Sequence, residues 1–185
     1  MTRYIALLRG INVGGNKLVS MADLRALLSK MGFEDVQTLL QSGNVVFNGP
    51  KKPAAALERE LEAALEKALK MKVDFHVRTA DEWRKVIDAN PFAAEARKDP
   101  SRFVVTCYKS PLDPAKVKAA QAAITGPEKL RADGRHLYMI FPDGQGNSKA
   151  AIVVGKMLGP GTARNWNTVL KLAALCGPAV TPPTH

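Results

Sequence analysis

Apolar positions along this chain switch between two periods. Tyr4-Ile5-Ala6-Leu7-Leu8 forms a short β-compatible run within residues 3–9 and is ended by Gly10. Met21, Leu24, Leu27, Leu28 and Met31 then recur at helical spacing, with Ser20 placed to cap the helix and Gly32 to stop it. Residues 36–40 and 45–47 read as two strands joined by Gln41-Ser42-Gly43-Asn44. Pro53 opens a long amphipathic helix with Leu57, Leu61, Ala64, Leu65, Ala68 and Leu69 inside and Glu58, Glu62, Glu66 and Lys70 outside. Val73, Phe75 and Val77 alternate with Asp74, His76 and Arg78, the mark of a half-buried strand. The order β-α-β-β-α-β is that of a ferredoxin-like unit, in which one antiparallel sheet backed by two helices buries all these faces together.

The remainder runs through similar elements. A helix around residues 80–89, carrying Trp83, Val86 and Ile87, leads to Asn90-Pro91-Phe92, where proline opposes helical continuation. Residues 102–108 read as a strand and 113–124 as a helix opened by Pro114. Residues 129–132 and 137–141 flank the turn at Asp133-Gly134, and residues 149–158 form a further helix. A last helix, with Val169, Leu170, Ala173 and Ala174 on its apolar face, stops at Gly177-Pro178. The expected fold is α+β: two ferredoxin-like (βαββαβ) halves with antiparallel sheets, spanning 1–78 and 101–180 and joined by a helix and loop over 79–100. On this pattern the closing strand of the second half is lost or swapped, and the residues around Pro182 and Pro183 form a loose tail.

Composition narrows the classes. A chain of 185 residues with 46% hydrophobic and 24% charged residues is an ordinary globular mix, able to bury about 70% of its unfolded surface. The longest apolar runs fall far short of the ~20 residues of a membrane span, and the opening residues read as a strand, not a signal peptide. Two cysteines, Cys107 and Cys176, are too few for a disulfide framework, which fits a reducing cytoplasm. The formal charge of +10 is the unusual number. It attracts phosphates, nucleic acid or acidic metabolites. The excess is spread over both halves and forms no tail, so it tunes solubility before it specifies a partner. Aromatic residues make up only 6%, with no stacking strand for single-stranded nucleic acid.

Four polar clusters carry the candidate chemistry. Arg9-Gly10-Ile11-Asn12-Val13-Gly14-Gly15-Asn16-Lys17 is either a glycine-rich loop or a cradle whose N–H groups meet an anion. It is no Walker loop, because Asn16 stands where the lysine belongs, and no dinucleotide fingerprint, because Asn12 stands at the second glycine. Gln41-Ser42-Gly43-Asn44 reads first as a turn satisfied by its own side chains. In Gly144-Gln145-Gly146-Asn147-Ser148-Lys149, Asn147 or Ser148 can cap the following helix, but capping does not require the lysine. Thr162-Ala163-Arg164-Asn165-Trp166-Asn167-Thr168 offers several caps, and Trp166 belongs to the core. Arg164, however, stands at the wrong end of a helix for its charge, unless an anion or an internal acid meets it. His76, His136 and His185 lack ligand spacing, so no metal site is expected, nor is a cofactor. Nucleophile elbows and H-E-x-x-H are absent, and Cys107 in mid-strand reads as an inert packed thiol.

The run from Tyr4 to Gly15 resembles the opening of a bacterial domain-of-unknown-function family (number 1697). The likeness continues through Met21-Ala22-Asp23-Leu24-Arg25, Gly32-Phe33, the stretch from Gln41 to Phe47, Asn90-Pro91-Phe92, Ser148-Lys149 and the stretch from Thr162 to Val169. One departure is Leu39, where the family has a tyrosine after the threonine. The resemblance implies two ferredoxin-like halves and carries no activity with it. It is the ground for grouping the clusters. Arg9, Asn12, Gly14, Gly15, Ser42, Asn44, Ser148, Lys149, Arg164 and Asn165 are expected to bind an anionic, phosphate-bearing small ligand in a crevice between the halves. The alternatives are a nucleic-acid-binding module using the basic surface, and an enzyme of unassigned reaction class acting on a phosphorylated substrate. No membrane partner is expected.

Overall fold

The computed structural model describes residues 1–146 and 148–178. Asn147, Pro182 and Pro183, on which a cap and a tail were expected, lie outside the described residues. The chain forms two compact units, one built from Met1–Lys85 together with the chain from Leu170 onward, the other from Val86–Val169. The segment 79–100, expected to join the halves, holds α3 (Ala80–Asp88) and α4 (Ala93–Lys98). The short α4 has no counterpart in the sequence reading.

In the first unit β1 (Thr2–Leu8), α1 (Met21–Lys30), β2 (Glu34–Leu39), β3 (Asn44–Gly49), α2 (Ala54–Leu69) and β4 (Phe75–Thr79) follow the expected order. The sheet runs β2-β3-β1-β4, with every neighbour antiparallel. Ser20 caps α1 by accepting the Asp23 N–H at 3.3 Å, and Gly32 leaves the helix at φ 88°. Leu24 and Leu28 from α1 and Leu57, Leu61 and Leu65 from α2 meet Tyr4, Ala6, Leu8, Val45, Phe47, Phe75 and Val77 on one face of the sheet.

The opposite face departs from the expected half-buried pattern. Ile5, Leu7 and Val46 are buried there, and so are His76 and Arg78 of β4. A strand covered on both sides reads as a nearly unbroken apolar run, which is what residues 4–8 and 45–47 show. The polar residues of β4 disguised its burial.

The second departure is Glu58, expected on the outer side of α2 but only 4% exposed. Strand β4 is a sheet edge whose N–H groups at alternate residues point away from β1. Each of them meets a carboxylate: Phe75 N–H donates to Glu62 at 2.9 Å, Val77 N–H to Glu58 at 2.9 Å and Thr79 N–H to Glu82 at 2.8 Å. Thr79 Oγ1 in turn accepts the Glu82 N–H at 3.1 Å, a capping box at the start of α3.

The second unit repeats the plan with β5 (Phe103–Cys107), α5 (Pro114–Ala123), β6 (Lys129–Asp133), β7 (His136–Ile140), α6 (Ala150–Leu158) and β8 (Thr162–Asn165). Its sheet runs β6-β7-β5-β8, again antiparallel throughout. The closing strand expected to be lost or swapped is present. Thr162–Asn165 pairs with β5 through Cys107↔Thr162 and Val105↔Arg164. Four mostly polar residues show no apolar alternation, so only pairing reveals the strand. Edge strand β6 is held by Gln121 of α5, which accepts the Leu130 N–H at 2.8 Å and donates to the Glu128 carbonyl at 3.2 Å.

Val104, Leu130, Leu137 and Met139 face Ala150 and Val154 of α6. On the other side of the sheet Phe103 meets Trp166 edge-on at 5.1 Å and lies near Phe92 and Tyr138, each at 6.2 Å. Tyr138 donates its hydroxyl to the Val86 carbonyl at 2.6 Å. Trp166 opens α7 (Trp166–Leu175), whose buried side is Trp166, Val169 and Leu172, while Leu170 is exposed, against the expected face.

Glu58→Ala leaves the Val77 N–H buried without its acceptor and lowers unfolding stability by about 1–3 kcal/mol. Glu58→Gln, which keeps an accepting oxygen, costs less; equal urea midpoints for wild type and Glu58→Ala would refute the role of the carboxylate. Burial, with a smaller contribution from the neighbouring Cys107, pushes the Tyr108 phenol up to about 12, and burial together with Asp133 and Cys107 raises Tyr138 as well. Their folded values lie above the unfolded value of about 10, so the folded state holds the proton longer. Stability is therefore fully present below pH about 10 and declines as pH rises toward about 12. Urea titrations across that range, read with phenolate absorbance, measure the loss.

Candidate functional site

Because β1 runs antiparallel to β3 and β4, its end lies beside their beginnings. Residues 9–20, 40–43 and 70–74 therefore gather at one end of the first unit. Leu8 N–H donates to the Gly43 carbonyl and Arg9 N–H to the Asp74 carbonyl, which joins the three loops to the sheet.

The glycine-rich run folds as a miniature hairpin. Asn12 N–H donates to Lys17 O at 3.1 Å and Asn16 N–H to Val13 O at 3.2 Å, with Gly14 and Gly15 at φ 60° and 77° between them. Two consecutive left-handed residues make the type I′ turn that suits a two-residue hairpin. Both glycines face open space, so backbone conformation and not close approach requires them. Asn12 holds the base of the hairpin: its Nδ2 donates to the Val19 and Gln41 carbonyls at 2.9 and 2.6 Å, and its Oδ1 accepts the Val19 N–H at 2.9 Å. The tip stands out, with Val13 and Leu18 exposed.

Two cations tie this hairpin to the loop before β4. Arg9 Nη1 lies 3.3 Å from Asp74 Oδ2, both side chains nearly half exposed, and Lys17 Nζ donates to the Lys72 carbonyl at 2.9 Å. Lys72 Nζ stands 3.8 Å from Glu66, and Lys70 ends α2 in a left-handed cap. Solvated pairs of this kind add little stability and leave donors facing water. In the neighbouring turn Asn44 is buried and donates to the Leu39 carbonyl at 2.7 Å and to Ser42 Oγ at 3.1 Å. Gly43 is irreplaceable on two counts, its φ of 83° and a Cβ position only 2.6 Å from Ile11 Cδ1. The structure thus brings Arg9, Asn12, Gly14, Gly15, Ser42 and Asn44 together, with the two asparagines bracing the loops from within.

In the second unit Ser148 Oγ donates to Glu128 Oε1 and accepts the Ala150 N–H at 3.1 Å, which caps α6 next to Lys149. Arg164 lies elsewhere. It belongs to β8 and shares the sheet face of Val105, opposite the face that packs on α6. Strands β5 and β7 lie between β8 and β6. Ser148 and Lys149 therefore form one place and Arg164 another. Arg164 Nη1 donates to Thr162 Oγ1 at 2.7 Å and to the Ala163 carbonyl at 2.8 Å. Burial pulls its guanidinium down to about 10, with Cys107 pulling the other way, so it stays charged at neutral pH. The apparent conflict with the helix dipole dissolves, because Arg164 sits in a strand. Asn165 is the cap of α7, its Oδ1 accepting from Thr168 N–H and Oγ1 at 3.0 and 3.1 Å.

Sequence reading missed Glu58, Arg78 and Glu128 as buried charges. Nothing local distinguishes them from solvated ones, whereas the capping box Thr79-Ala80-Asp81-Glu82 was readable from its spacing. The brace at Asn12 yields a direct test. Asn12→Ala removes three hydrogen bonds at the hairpin base, costs about 1–3 kcal/mol and speeds amide exchange at Val19. Unchanged exchange there would show that the hairpin holds its shape without the amide.

Comparison with known proteins agrees with this architecture. The chain is similar to the conserved bacterial protein SP0830 from Streptococcus pneumoniae, with 25% identity, a TM-score of 0.71 and coverage of 95% of this chain and 98% of that one. No curated protein matches the chain. A family profile described as "Protein of unknown function (DUF1697)" matches residues 1–138, which take in the whole first sheet and the second as far as β7. By that match the chain belongs to the family Protein of unknown function (DUF1697).

Proposed function

We propose that this protein binds a phosphate-bearing ligand, with the loop end of the first unit as the contact surface. The observation that carries the reading is the fixed placement of Arg9 and Lys17, each anchored at one atom to the loop before β4 and each on an exposed residue. Lys70 and Lys72 stand on the same loop end, so the cations outnumber Asp74 and Glu66. Asn12, Gly14 and Gly15 shape the hairpin that carries Lys17, and Ser42 and Asn44 set the turn behind it. Arg164 and Asn165 are engaged within β8 and at the start of α7, and Ser148 is engaged by Glu128, so they stay outside the contact set.

The open position of the hairpin favours a second source for the same phosphate chemistry, the backbone of a nucleic acid strand. An enzymatic role draws no support from this end, because its carboxylates, Asp74 and Glu66, are paired with Arg9 and Lys72.

The test is titration of the protein with pyrophosphate, a nucleoside triphosphate and a fluorescein-labelled oligonucleotide at several salt concentrations. Arg9→Ala with Lys17→Ala is expected to weaken binding about tenfold or more without changing the fold. A log–log salt slope near about −1 to −2 identifies a compact ligand, and about −4 or steeper identifies a nucleic acid strand. Absence of binding to all three probes at about 50 mM salt, or affinity unchanged in the double variant, sinks the proposal.

A further inference from the structure

We infer that the second unit holds a separate binding site for a small zwitterion, an amino-acid-like molecule whose ammonium group meets Glu128 and whose carboxylate meets Lys149. The site is a cavity of about 380 Å³ between the α5–β6 connection and the start of α6. That size lies within the range of small-molecule pockets. Ile124 and Val153 give it an apolar wall, and Glu128, Asp143, Ser148 and Lys149 supply its polar groups.

Glu128 is the unusual feature. Its residue is only 8% exposed, yet among the described residues its carboxylate makes no ion pair and receives one hydrogen bond, from the Ser148 hydroxyl to Oε1. A carboxylate offers about four lone-pair sites, and Ser148 fills one of them, which leaves acceptor capacity for a ligand. An ammonium group, with three donors and a full charge, is the complement it lacks. The backbone leaves room for this carboxylate: a Cβ on Gly126 would lie 2.2 Å from Glu128 Oε2.

The opposite charge is supplied on the α6 side. Lys149 lines the same cavity at the helix N-cap, where the positive end of the helix adds to its charge, and among the described residues it makes no ion pair. A simple anion would face Glu128 and Asp143 together, and a simple cation would leave Lys149 unanswered. A molecule carrying both charges a few bonds apart answers both. This site shares no residue with the phosphate surface of the first unit, so the two readings stand or fall separately.

Calorimetry and thermal unfolding of the full chain with each of the common L-amino acids, and with methylamine and acetate as half-ligands, test the inference. At least one amino acid is expected to bind one-to-one and raise the unfolding temperature, with methylamine and acetate weaker. Glu128→Gln and Lys149→Met are each expected to lower that affinity about tenfold or more, and Gly126→Ala, which displaces the Glu128 carboxylate, to lower it as well. Lys149→Met removes a charge from the cavity lining without touching the Ser148–Glu128 contact, so it decides the matter if Glu128→Gln fails to fold. The inference is overturned if no amino acid gives heat or a temperature shift at about 10 mM, or if affinity is the same in Lys149→Met as in wild type.

Discussion

The outward edge of β4 constrains the first unit more than any other feature. Its N–H groups at Phe75, Val77 and Thr79 meet no strand, and three glutamates from α2 and α3 accept them instead. A buried backbone donor left without a partner costs about 1–3 kcal/mol, so the edge cannot be covered by leucines alone. Two of these bonds, from Glu62 and Glu58, fix α2 along β4 and thereby place the loop at 70–74 beside Arg9. The second unit covers its β6 edge with one amide, that of Gln121 from α5. In both cases a polar side chain from the covering helix both closes the edge and bars another chain from pairing there.

That solution shapes the chemistry left over. At the loop end of the first unit the amides are spent on structure. Asn12 and Asn44 hold carbonyls, and the glycines meet a demand of backbone angle. What faces solvent is the charge of Arg9 and the lysines together with the apolar side chains of Val13 and Leu18. In the second unit a nearly buried glutamate, Glu128, and an exposed lysine, Lys149, line one cavity.

Much of the architecture was legible along the chain. The apolar runs at 4–8, 45–47 and 103–105 and the helical spacing of Met21, Leu24 and Leu28 locate elements through local periodicity, which survives in any single window of sequence. The cap at Ser20, Pro114 at the start of α5 and the turns at Gly43 and Gly134 are likewise local chemistry. The β8 strand was hidden, because Thr162-Ala163-Arg164-Asn165 carries no period of its own and becomes a strand only by pairing with β5.

By itself, then, the order of residues determined the alternation of strands and helices, the α+β class and the list of polar residues worth following, because each depends on neighbours within one or two turns of chain. Tertiary structure alone decided which charges are buried. Glu58 and Glu66 occupy similar positions on one helix, and only the edge of β4 separates a buried backbone acceptor from a solvated one. Glu128 beside Ser148 and Arg164 beside Thr162 became partners in the same way, through packing that long-range contacts impose on side chains whose local sequence is silent.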